Sequence, residues 1–157
     1  MKKIIPLLLL LGSCSGGKID RTIEIEIRNA ASDKIDLKKD LYTRFFSGKP
    51  PLEIKLGLTG EERTKIIDAW YSLGLDQITG TTVINDNCHS MPKLYQVIHV
   101  TAGDGIQEIS IDNGCEDFTF FDSGKAGRIK KFLQLVRDII LSRPAIRNAP
   151  RSDVPYM

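Results

Sequence analysis

The densest chemistry in this chain lies in Cys88-His89-Ser90-Met91, which brings a thiol, an imidazole and a thioether close together. Soft and borderline ligands of this kind suit a metal such as Cu(I). Cys115 is the residue that would complete the set. The competing use spends the two sulfurs on each other, because an even cysteine pair in an exported protein is first read as a disulfide. The sequence favours that use. One tight segment rarely supplies every ligand of a metal site, and no Met or His cluster occurs elsewhere. Cys88–Cys115 is therefore expected as a disulfide, stabilising by roughly 3.5 kcal/mol on the chain-entropy account. The metal set Cys88, His89 and Met91 is the alternative.

Catalytic patterns are missing. His89 and His99 are the chain's 2 histidines, and neither stands in a His-Glu-x-x-His pattern. There is no Gly-x-Ser-x-Gly elbow, phosphate loop or dinucleotide fingerprint. Gly103-Asp104-Gly105 reads as a turn. The acid pairs Glu61/Glu62 and Glu116/Asp117 are adjacent in sequence, so adjacency alone does not aim them at one substrate, and capping accounts for the first pair. No enzyme activity and no cofactor are implied.

The amino terminus supplies an address. Lys2 and Lys3 precede an apolar run over residues 4–11, the layout of a secretory signal. The run is far short of the roughly 20 residues that span a bilayer. It ends Leu11-Gly12-Ser13-Cys14, and here the chain resembles the bacterial lipoproteins, whose lipobox is an aliphatic residue, two small residues and a cysteine. The resemblance covers the leader only. It implies lipidation of the Cys14 thiol, cleavage before Cys14, and attachment to the membrane through that lipid. Ser15 stands where many enteric-type lipoproteins carry a retaining Asp. The implied location is the cell envelope, at the outer membrane facing the periplasm in a Gram-negative cell. Lysozyme-inhibitor and immunity lipoproteins are similar in size and address, but Ser123-Gly124-Lys125 lies at a helix start and not in an inhibitory loop, so no residue role is transferred from them.

Removing residues 1–13 of 157 leaves 144, enough for one domain with its own core. The whole chain holds 22 Lys+Arg and 20 Asp+Glu, and Lys2 and Lys3 leave with the leader, so the mature side chains balance. Nucleic-acid binding is not expected. The charge is unevenly spread, with 8 basic and 2 acidic side chains over residues 124–157. That bias is either a solvated helix face or a contact for anionic headgroups.

The elements that must position these residues follow from periodicity. Strict alternation over residues 21–28 puts Ile23, Ile25 and Ile27 on one face of a strand with a wet opposite face. Residues 35–46 are ambiguous, and the strand formers over 40–46 favour a strand. Another alternating run covers 52–57. Thr59-Gly60-Glu61-Glu62 is a capping box opening a helix over 60–73, with Gly74 at its C-terminal cap. Residues 81–84 read as a short strand. Residues 93–101 and 106–112 flank a Gly-Asp-Gly turn and read as a hairpin. If Thr101 pairs with Ile106, Cys115 lies opposite Pro92, and Cys88 in the loop just before can fold back to staple the hairpin's open end. Residues 118–121 suggest a further short strand. Asp122 or Ser123 then starts a second helix, whose buried face is Ile129, Phe132, Leu133, Val136, Ile139 and Ile140.

The expected fold is α+β, two-layer, an antiparallel sheet of about four to six strands packed against two helices. Residues 1–13 form the signal, 14–20 a tether, 21–143 the domain and 144–157 an irregular tail. The expected role is a non-enzymatic protein-binding module of inhibitor, immunity or assembly type. Its contact surface is the sheet's exposed face or edge, or the loop over residues 85–92.

Overall fold

Alternation makes β1 (Ile23–Asn29) a strand with two unlike faces: Ile25 and Ile27 are buried, whereas Glu24 and Arg28 are exposed. In the computed structural model, residues 23–89 and 91–154 are described. The leader, Cys14 and the tether lie outside the described residues, as do Ser90 and residues 155–157.

The remaining strands are β2 (Asp33–Asp36), β3 (Leu41–Phe46), β4 (Lys49–Lys55), β5 (Gly80–Val83), β6 (Tyr95–Ala102) and β7 (Gly105–Asp112). Together they form one sheet of 7 strands in the order β4-β3-β2-β1-β6-β7-β5. The helices are α1 (Gly60–Ser72), α2 (Ser123–Leu141) and the short α3 (Pro144–Arg147). The fold is the expected two-layer α+β arrangement. Every strand pair is antiparallel except β5 with β7, which is parallel.

Residues 35–46 resolve into two pieces. Ile35 ends up in β2 and β3 covers 41–46, with Asp40 between them at φ 56°. Asp40 holds that left-handed turn by accepting from the Gly57 and Leu58 N–H groups, both at 3.1 Å, and from Arg63 at 2.8 Å. Pro50 and Pro51 are tolerated in β4 because β4 is an edge strand. The hairpin register is as expected: Thr101 lies opposite Ile106.

Cross-strand pairs build the core face. Ile27 sits opposite Ile35 on one side and Ile98 on the other, and Ile98 opposite Ile109. α1 and α2 cover this face. Trp70 and Phe132 meet there edge-to-face with centroids 5.2 Å apart, worth about 1 kcal/mol beyond the area they bury. At Gly74, φ is +63° and a Cβ would lie 2.9 Å from the Arg128 guanidinium, which donates to the Leu73 carbonyl at 2.9 Å. The left-handed φ is what calls for glycine at this C-terminal cap, since the Arg128 tip is the end of a flexible side chain.

Residues 144–154 depart from the expected irregular tail. Pro144 opens α3 and Ile146 is buried in the core. Beyond α3, Arg44 donates to the Ala149 and Pro150 carbonyls at 3.2 and 2.8 Å, and the Ser47 N–H donates to Asp153 at 2.7 Å. These contacts make the segment part of the domain. Residues 118–121 also differ, because Phe118 forms only an isolated bridge with Asp86.

Candidate functional site

Two loops leave the same end of the sheet, one between β5 and β6 and one between β7 and α2. Cys88 and Cys115 join them in a disulfide with Cα atoms 5.9 Å apart. The bond closes the open end of the β6–β7 hairpin. Its formation leaves Cys88 no thiolate for the alternative metal set. His89 and Met91 stand exposed on the loop surface. Asp86, Cys88 and Cys115 place ligand-type atoms within 4.8 Å of one another. The two sulfurs are bonded to each other, and Asp86 takes Lys93 at 2.7 Å.

Backbone and ionic contacts fix the rest. The Asn87 N–H donates to the Asp117 carbonyl at 2.9 Å. Lys93 donates to Asp86 and to the Cys88 carbonyl, and lies 3.6 Å from the Asp112 carboxylate, which is buried beneath it. The hydrogen bond to Asp86, with the negative charge of Asp112 close by, raises the Lys93 pKa above its ordinary value. Lys93 thus stays charged as the pin between the loops. Asp122 occupies the N-cap position of α2, but its carboxylate accepts from the Asn85 N–H at 3.1 Å and pairs with Lys125 at 3.3 Å.

This frame holds three large apolar side chains in solvent. Phe120 is 89% exposed, Phe121 86% and Met91 81%. The two rings touch each other edge-to-face, with centroids 5.7 Å apart. Phe120 and Phe121 thus form a solvent-exposed aromatic pair on a loop held by these contacts. The strand propensity of residues 118–121 suggests a strand, and no local signal separates Phe120-Phe121 from the Phe45-Phe46 step that does lie in β3. His99 sits away from the tip, on the wet sheet face, 3.3 Å from Glu108.

Of the 8 basic side chains over residues 124–157, Lys125, Arg128, Lys130 and Arg143 have structural partners. Lys125 pairs with Asp122, Arg128 caps α1, Lys130 donates to the Cys115 carbonyl, and Arg143 binds Glu62. Among the described residues no helix is long and apolar enough to cross a membrane.

Fold and site together define a small two-layer α+β domain with a disulfide-stapled apolar tip. No protein-family model matches the chain, and no curated protein or solved structure matches it either.

Proposed function

We propose that this is a lipid-anchored cell-envelope protein that acts without catalysis, by binding a partner protein through its stapled tip. The observation that carries this reading is the exposure of Phe120, Phe121 and Met91 on loops tied by the Cys88–Cys115 bond. Anchors held in place give binding energy at low entropic cost, and Phe and Met are enriched at interfaces. The disulfide and the lipobox-like leader support the same compartment.

The tip and the first described residue lie at opposite ends of the sheet. Ile23 pairs with Ala102 beside the β6–β7 turn, whereas the tip lies past the opposite end, where Tyr95 pairs with Asp112. The intervening strand length is about 25 Å. The described chain thus begins at the end of the sheet opposite Phe120 and Phe121. The test is a Phe120→Ser/Phe121→Ser variant, which keeps the fold because both rings lie in solvent. We expect it to lose a partner that the unaltered protein retains through stringent washing. Equal retention of that partner by the variant contradicts the reading.

A further inference from the structure

A second, separate site lies on the wet face of the sheet. The register sets Glu26 of β1 directly opposite His99 of β6, and His99 directly opposite Glu108 of β7. Residues paired in this way share a face, with Cα atoms about 4.5–5.5 Å apart. Two carboxylates therefore flank one imidazole across three neighbouring strands. Their side chains are 25–37% exposed. The helices pack on the opposite, apolar face, and Glu26 and His99 line one shallow depression, so an ion has open access to the row.

Ion pairs divide the carboxylates of this face. Glu24 is taken by Lys38, and Asp36, opposite Glu26 on β2, is buried and taken by Lys39. Glu26 gives Oε1 to Arg28 at 2.8 Å, whereas Lys34 stands 3.8 Å from its Oε2. Among the described residues, Glu108 pairs with no lysine or arginine. Its contact is His99, with Nδ1 3.3 Å from Oε2. Two ligands of one zinc ion show the same separation: bonds of roughly 2.0–2.2 Å at a tetrahedral angle put the donor atoms about 3.3 Å apart.

We propose that Glu26, His99 and Glu108 form a binding site for zinc(II). The His99 imidazole supplies the nitrogen ligand, and Oε2 of Glu108 and Oε2 of Glu26 supply the oxygens. Water completes four-coordination. Imidazole and carboxylate suit a borderline divalent ion, not the Cu(I) that thiolate and thioether ligands select. Binding moves the Lys34 ammonium away from Glu26, while Arg28 keeps Oε1 and so orients the carboxylate from outside the metal's own ligands. The site owes nothing to the stapled loops, where both sulfurs are bonded to each other. Its ligands come from three strands, so no short motif marks it.

The probe is Zn²⁺ alone, titrated by calorimetry and by NMR chemical shifts into the folded, disulfide-bonded protein carrying no added histidines. One ion per chain is expected, with the largest shift changes at residues 26, 99 and 108. His99→Asn and Glu108→Gln lie on the wet face and leave the core intact. Each is expected to weaken binding about tenfold or more, since losing even a partner of a metal ligand costs that much. Lys34→Met removes the cation beside Glu26 Oε2 and is expected to tighten binding severalfold, a change that a purely structural role for the row would not produce. His89→Asn, at the chain's other histidine, should leave binding unchanged. The proposal is overturned if no Zn²⁺ binds at submillimolar concentration, or if the shift changes centre on His89. It is equally overturned if His99→Asn or Glu108→Gln binds zinc as the unaltered protein does, or if Lys34→Met leaves the affinity unchanged.

Discussion

Arg143, just beyond α2, grips Glu62 in the first turn of α1 with two nitrogens, Nη1 to Oε1 at 2.9 Å and Nη2 to Oε2 at 2.5 Å. The Thr59 N–H donates to the same carboxylate at 2.9 Å, completing the capping box, and Arg143 also reaches the Leu56 carbonyl at 2.9 Å. One ion pair therefore ties the start of one helix to the end of the other.

That pair gives a pH signature. The Arg143 hydrogen bond, helped by the Thr59 N–H, lowers the Glu62 pKa from 4.5 to about 2. A depressed carboxylate stabilises the fold above its unfolded pKa, and that contribution is lost as pH falls through the folded value. Glu62→Gln is expected to cost about 1–2 kcal/mol at neutral pH. Urea unfolding should show the gap between variant and wild type closing as pH falls from 4.5 toward about 2.

Removing the Cys88–Cys115 bond, by reduction or by Cys88→Ser/Cys115→Ser, should lower stability by roughly 3.5 kcal/mol. Intact mass under non-reducing conditions should be lower than the reduced mass by two hydrogens. A metal-loaded dithiol would instead show no such deficit.

Phe132→Ala should cost about 3–5 kcal/mol, because it opens a cavity against Trp70 at the centre of the core. Thermal unfolding of the variant checks the value. A loss below about 1 kcal/mol would mean that α2 does not seat on the sheet as described.

Arg44→Met should cost about 2 kcal/mol, since it strips donors from Asp33 and from the Ala149 and Pro150 carbonyls. Hydrogen exchange should speed up in residues 144–154. Unchanged exchange there would separate the segment from the domain.

Features legible in the sequence were those encoded locally. The capping box at Thr59 and Glu62 and the register fixed by Gly103-Asp104 each depend on a few neighbouring residue types, while the Cys88–Cys115 pairing, 27 residues apart, followed from the cysteine count. β2 was hidden because Asp33-Lys34-Ile35-Asp36 has only one apolar residue; its strand conformation comes from pairing with β1 and β3. The parallel placement of β5 on β7 depends on where α1 delivers the chain, which no local period encodes. Residues 144–154 read as irregular because their anchors, Arg44 and Ser47, are about a hundred residues away in sequence. Of the candidate site, the staple was legible and the aromatic tip was not. The run over residues 118–121 has strand propensity, but beyond the single bridge at Phe118 it pairs with no strand.

The claim that the stapled tip contacts a protein is tested most directly by placing a photo-crosslinking side chain at position 120 in cells, with position 65 on the exposed face of α1 as the control. The account predicts one discrete adduct from position 120, lost when Phe121→Ser is added, and none from position 65. No adduct from position 120, or the same adduct from both positions, would contradict it.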